Sequence, residues 1–216
     1  MFLLRPPAVY RPQGDSELLG RALLRAAPAP GAQVLDVCTG TGVIAIAAAR
    51  LGAARVHAVD ISASAVLATS CNAWLRRLPV RAERGDFLAR AAGRRYDVVT
   101  ANPPYVPTPP SGWRHRRRSA AWDAGEDGRA CLDRLCAAAP RLLRENGMML
   151  LVHSALCGTE TTLRRLREAG LRPSVVDRQV QPFGPVMTER APWLEERGLI
   201  EPGQRTEELV VIRADR

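Results

Sequence analysis

Leu18, Leu19, Leu23 and Leu24 share one helical face, which predicts an amphipathic helix over Ser16–Ala27, stopped by the Pro28–Gly31 turn. Beyond it, short apolar runs alternate with longer helical stretches. Strands are predicted at Gln33–Cys38, Arg55–Val59, Val80–Glu83, Tyr96–Ala101, Met148–His153, Pro173–Val180 and Glu207–Ile212. Helices are predicted at Val43–Leu51, Ala63–Arg76, Asp127–Arg144 and Glu160–Ala169. This alternation is the pattern of parallel βαβ units. The chain therefore reads as an α/β fold on one doubly wound, mostly parallel, seven-stranded sheet. No ordinary crossover helix separates the last two strands, so at least one of them is expected to be antiparallel. All 216 residues read as one domain. Residues 1–30 form a proline-rich arm and a helix, and residues 182–206 are an insertion between the closing strands. That insertion holds Phe183, Met187, Trp193, Leu194, Leu199 and Ile200, too apolar for a flexible loop, and Ala191–Arg197 is predicted helical. It reads as a lid, a partner site or core filler.

Composition narrows the class. With 46% hydrophobic and 25% charged residues and a mean hydropathy of −0.13, the chain is expected to be globular rather than disordered. The longest apolar run, Val43–Ala49, is far short of the roughly 20 residues of a membrane span. No secretory pattern opens the sequence, so a cytoplasmic location is expected. The five cysteines contain no CxxC spacing and the three histidines are scattered, so reduced thiols and no metal are expected. The formal charge is +9, and all 31 cationic residues are arginine. Such a balance favours acidic partners, nucleic acid first among them. Arg114-His115-Arg116-Arg117-Arg118 concentrates that charge, either as a solvated loop or as a grip on phosphate from RNA or a ribonucleoprotein.

The candidate chemistry lies at the strand ends, where doubly wound sheets bind their ligands. The first strand runs into Asp36-Val37-Cys38-Thr39-Gly40-Thr41-Gly42 and then directly into a helix. Gly40 and Gly42 allow a close approach of backbone to ligand, and the following helix N-terminus offers free N–H groups to an anion. Asp60 ends the second strand, 24 residues after Asp36, where an acid accepts hydrogen bonds from a ribose diol. Asp86 follows the third strand, beside Phe87, whose ring suits a flat base. The fourth strand ends in Asn102-Pro103-Pro104-Tyr105. Prolines leave a rigid backbone with free carbonyls, and the Asn102 side chain adds another acceptor. Two acceptors converging on one planar –NH₂ would bind both its hydrogens and turn its nitrogen face towards an electrophile. Tyr105 offers a stacking surface.

These residues together resemble the class I S-adenosylmethionine (SAM) methyltransferases, whose fold is Rossmann-like. Within that class the chain resembles the HemK-type protein-glutamine N5-methyltransferases, in the short branch without a separate N-terminal helical domain. The resemblance covers about residues 8–181, and the final strand rejoins it. It includes the arm Val9-Tyr10-Arg11-Pro12 with Asp15-Ser16-Glu17-Leu18-Leu19, the run Val106-Pro107-Thr108-Pro109-Pro110, and Ala120-Ala121-Trp122 leading to Gly128-Arg129. The resemblance implies that Ser16 helps to hold the SAM methionine tail and that Asp36, with backbone at Cys38 and Gly40, lines the cofactor. It implies that Asp60 binds the ribose, that Asp86 and Phe87 contact adenine, and that Asn102 and the Pro103 carbonyl clamp the acceptor amide. The implied substrate is a glutamine in a protein such as a translation release factor, and some short-branch relatives work with a small activator subunit. The NPPY motif also occurs in enzymes that methylate exocyclic amines of RNA or DNA bases. A small amine or amide acceptor is a third reading, and a non-enzymatic SAM-binding scaffold a fourth, against which the intact motif argues.

Overall fold

A computed structural model describes residues 2–7, 9–109 and 124–216, so the expectations resting on Arg114–Arg118 and on Ala120–Trp122 lie outside the described residues. In chain order the described elements are α1 (Gly14–Ala26), β1 (Gln33–Val37), α2 (Val43–Arg50), β2 (Arg55–Asp60) and α3 (Ala63–Trp74). Then come β3 (Val80–Arg84), the single turn α4 (Phe87–Arg90), β4 (Tyr96–Ala101), α5 (Ala130–Leu142) and β5 (Leu143–Ser154). A 3₁₀ turn (Ala155–Cys157), α6 (Thr159–Glu168), β6 (Arg172–Pro182), α7 (Pro185–Glu196) and β7 (Thr206–Asp215) complete the chain.

The seven strands form one sheet in the order β3-β2-β1-β4-β5-β7-β6. Strands β1 to β5 pair in parallel, and β7 lies antiparallel between β5 and β6. The expected antiparallel closing strand is therefore β7 alone. Helices α1, α2 and α3 pack in sequence on one face, and α5 packs on α6 on the other. The inner strands are buried on both sides: Val34, Leu35 and Val37 of β1 and Val98, Val99 and Ala101 of β4 are at most 2% exposed. That burial is why these runs read as continuous apolar stretches rather than alternating ones. In α2, Ala45, Ala48 and Ala49 are buried, and their small side chains let the helix lie close to the sheet.

Several boundaries differ from expectation, each for a local reason. The Asp127–Arg144 helix begins only at Ala130, because Gly125 and Gly128 turn the chain at positive φ and the Asp127 side chain accepts from Arg129 N at 2.9 Å. It ends at Leu142, because Leu143 already pairs with Tyr96 of β4. Insertion 182–206 carries a helix of twelve residues that starts at Pro185, six before the expected start. Pro185 suits a first helical position, where no N–H is needed. Met187, Ala191, Leu194 and Ile200 are buried in the main core, so this segment fills core.

Candidate active site

The carboxyl ends of β1 to β4 surround one cavity of about 440 Å³, within the roughly 300–1,000 Å³ usual for small-molecule sites. Strand order reverses between β1 and β4, so the chain leaves the sheet to opposite faces there and a crevice remains.

One side of the cavity is built on carboxylates that tie strand ends together. Asp36 is 2% exposed; Thr39 Oγ1 donates to its Oδ2 at 2.6 Å and Thr100 Oγ1 to its Oδ1 at 2.7 Å. Burial pushes its carboxyl up to about 6, against the lowering effect of those hydroxyls. Asp36 thus pins the glycine turn to β4 while forming part of the cavity wall. Cys38, Gly40 and Gly42 all take positive φ through this turn. A side chain at Gly40 would meet nothing within 4 Å, so backbone there faces open space. Gly42 departs from expectation. It caps α2 outside the cavity wall, and a Cβ on it would come within 2.8 Å of Thr69 Cγ2. Gly42 therefore permits α2 to pack against α3, and Thr41 lines the cavity beside it. Asp60 Oδ2 accepts from Gly40 N at 3.0 Å and Oδ1 from Ser62 N at 2.9 Å. Burial pushes its carboxyl up from the usual carboxylate range.

Asp86 caps α4 by accepting from Leu88 N at 3.0 Å, and Arg134 Nη2 donates to its other oxygen at 2.6 Å. Partial burial works against ionisation, but the Arg134 guanidinium holds the Asp86 carboxyl below its ordinary range. The same guanidinium lies 5.2 Å above the Phe87 ring. All three residues line the cavity.

The opposite side of the cavity joins the arm to the end of β4. Asn102 Nδ2 donates to Ser16 Oγ at 3.4 Å, and Ser16 Oγ donates to Asp15 Oδ1 at 3.1 Å. Asp15 Oδ1 also receives Ser16 N at 2.5 Å, while Oδ2 receives Tyr10 Oη at 2.7 Å and Tyr105 Oη at 3.3 Å. Burial, reinforced by the Asp15 charge, pushes both phenols up, so they stay protonated donors. This chain of hydrogen bonds commits the nitrogen end of the Asn102 amide to the arm. Tyr105 is only 9% exposed. Its ring lines the cavity while its hydroxyl is anchored on Asp15. Behind it, Cys157 Sγ donates to Tyr105 O at 3.0 Å, and any side chain on Gly128 would collide with that same carbonyl. Arg129 is buried and bonds Cys157 O, Gly158 O and Asp133. Gly128-Arg129 is thus a structural support for the segment that leaves β4.

Known proteins converge on this arrangement. The sequence model of the family described as ribosomal protein L11 methyltransferase (PrmA) matches residues 21–103. The Methanocaldococcus jannaschii protein MJ0928, provisionally named a protein N5-glutamine methyltransferase, is 33% identical over 185 residues, 86% of this chain and 92% of that protein. Methyltransferase HEMK2 of Mus musculus is 34% identical over 172 residues, 76% of this chain and 80% of that protein. The chain belongs to the HemK-type protein N5-glutamine methyltransferases. A longer relative, the release factor glutamine methyltransferase of Moorella thermoacetica, is 38% identical over 154 residues, and the chain spans only 54% of its length. The E. cuniculi Mtq2–Trm112 complex, described as responsible for methylation of the eRF1 translation termination factor, superposes with a TM-score of 0.67. That match covers 97% of this chain and 99% of that one at 23% identity, and it shows the class I methyltransferase fold.

Some cavity residues of this HemK-type chain carried no role in the sequence reading. Asp15 and Tyr10 lie in the arm quoted for the resemblance, but nothing local says that their side chains converge on Tyr105. Arg134 and Cys131 come from α5, whose buried and cavity-facing sides share one helical period. Interaction between the Cys38 and Cys131 thiols raises the first and lowers the second. Among the described residues no group of His, Cys, Asp and Glu could hold a metal ion, and no helix is long and apolar enough to cross a membrane.

Two buried groups of the HemK-type sheet give opposite acid responses. Asp36 titrates near 6, above its unfolded value, so it adds stability as pH falls from about 6 to 4. His153 is fully buried and burial pushes it down to about 4, so it removes stability between about 6.5 and 4. Each effect amounts to about 3 kcal/mol, and the two nearly cancel. Asp36→Asn should unmask the histidine, making Tm fall by roughly 6–12 °C more than wild type between pH 7 and 4. Equal pH slopes for the two proteins in thermal melts would show that Asp36 gains no extra proton in the folded state, since the histidine is common to both.

Proposed function

We propose that this chain transfers the methyl group of S-adenosylmethionine to the side-chain nitrogen of a glutamine in a translation release factor. One observation carries the reading: Asn102 gives its Nδ2 to Ser16, and no described residue donates to its Oδ1. A carboxamide held this way presents an acceptor. With the carbonyl of Pro103, a residue without its own N–H, it meets both hydrogens of a primary amide. The cavity fits the co-substrate through its glycine turn, the Asp60 carboxylate and the Phe87 ring. SAM supplies an electrophilic sulfonium methyl. The protein's own part is alignment and electrostatics: Asn102 and Pro103 draw electron density onto the amide nitrogen and fix its face. The names of the relatives support glutamine and release factors as the acceptor.

Purified chain, radiolabelled SAM and a release factor should give label in the protein, and mass spectrometry should place it on a glutamine. Label that is sensitive to nuclease instead of protease would move the acceptor to a nucleic-acid base. Activity only after adding cell extract would point to an activating subunit of the kind in the Mtq2–Trm112 complex. Calorimetry isolates the co-substrate step. Asp60→Ala removes a charged acceptor worth about 1.5–3 kcal/mol, so Kd for SAM should rise roughly 10- to 100-fold. An unchanged Kd would remove Asp60 from the ribose site.

A further inference from the structure

The loop leaving β4 contains Pro103, Pro104, Pro107 and Pro109, none of which has an N–H to donate. Few internal hydrogen bonds can therefore hold this loop, and its carbonyls must be met from elsewhere. Cys157 meets Tyr105 O, and Thr108 N reaches out to Gly125 O at 2.9 Å. The next two carbonyls are met from a part of the sequence more than eighty residues away. Arg190, on α7, is 8% exposed; its Nη1 donates to Pro107 O at 2.9 Å, to Thr108 Oγ1 at 3.2 Å and to Val106 O at 3.4 Å. At the C-cap of the same helix, Arg197 Nη2 donates to Glu126 Oε2 at 2.9 Å. One helix thus grips both the outgoing limb at 106–108 and the returning limb at Glu126.

We propose that Arg190 is a positioning residue for methyl transfer, holding the Asn102–Tyr105 acceptor segment in place through Val106, Pro107 and Thr108, with α7 as the brace that carries it. The inference rests on the reading of this segment as the acceptor clamp. Core filling alone does not call for an arginine. Met187, Ala191 and Leu194, on the same helix, fill the core with apolar side chains. A buried guanidinium is costly unless its N–H groups are met, and here the Nη1 group is met by the acceptor loop. A planar guanidinium reaches several acceptors at once, which suits a loop that offers carbonyls in succession.

The test compares Arg190→Met, Arg190→Lys and a distant core control, Leu171→Ala. Leu171 is 4% exposed and precedes β6 at the end of the sheet opposite the cavity. Arg190→Met should lower kcat/KM for the acceptor by about 10- to 100-fold, since small misplacements of a clamp have effects of that size. Kd for SAM should stay within about twofold, and Arg190→Lys should recover part of the loss. Leu171→Ala should lower Tm yet keep kcat. An unaffected acceptor kcat/KM in Arg190→Met would overturn the proposal, as would an equal loss in the Leu171→Ala control. Hydrogen exchange supplies a readout free of any assumed substrate: the Thr108 amide should exchange at least about tenfold faster in Arg190→Met. If the wild type methylates nothing, the functional reading fails alone, and unchanged Thr108 exchange is then the result that overturns the brace.

Discussion

Asn102→Ala is expected to lower kcat by about 100- to 1,000-fold while leaving Kd for SAM within about twofold. The size follows from removing one preorganised polar group aimed at the reacting atom, an effect of about 3–4 kcal/mol in enzymes that work by alignment. The selectivity follows from position. Asn102 follows the last residue of β4 and bonds the arm through Ser16, whereas the carboxylate assigned to the ribose, Asp60, stands two strands away beyond β1. Asn102→Asp separates acceptance from orientation. It keeps an oxygen for the amide but loses the Nδ2 donor to Ser16, and it places a second carboxylate near Asp15. Its kcat should therefore lie nearer the alanine variant than the wild type. Steady-state kinetics with calorimetry on the same preparations decides the matter: near-wild-type turnover in Asn102→Ala would reduce the segment to a turn.

The parts of this fold that were legible in the sequence are those fixed by local pattern or by topology. Tyr96–Ala101 reads as a strand to the residue, because β4 lies inside the sheet and its run of apolar residues has clear ends. Asp36, Asp60, Asp86 and Asn102 could be grouped without a structure, since parallel strands must bring their carboxyl ends to one edge. Single-turn α4 has only four residues, too few to display a period. The early start of β5 was hidden because the helix expected through Arg144 overlaps it, while Asn146 takes φ 61° and the strand pairing shifts register there. Side-chain pairs across the fold left no trace. Tyr105 meets Asp15 across 90 positions and Arg190 meets Pro107 across 83, and periodicity carries no information at such separations. The anchoring of Tyr105 was illegible for this reason, because an aromatic residue after a strand does not announce that its hydroxyl is held.

That anchor yields the other large effect. Asp15→Ala is expected to lower stability by about 3 kcal/mol, or roughly 6–12 °C in Tm, and to lower kcat by about 10- to 100-fold. The side chain is 2% exposed and accepts from Tyr10, Tyr105 and both the N–H and hydroxyl of Ser16. Its removal leaves the buried Tyr105 and Ser16 donors unmet, and each unmet group costs about 1–3 kcal/mol unless water enters. Turnover suffers because the same carboxylate holds both ends of the acceptor segment, Tyr105 directly and Asn102 through Ser16. A double-mutant cycle with Tyr105→Phe tests the route, since that change deletes only the hydroxyl that Asp15 receives. If Asp15 acts in part through Tyr105, the double variant should lose less than the sum of the single losses. Strict additivity in both Tm and kcat would mean that the 3.3 Å contact transmits nothing, leaving Ser16 as the one path from the arm to the clamp.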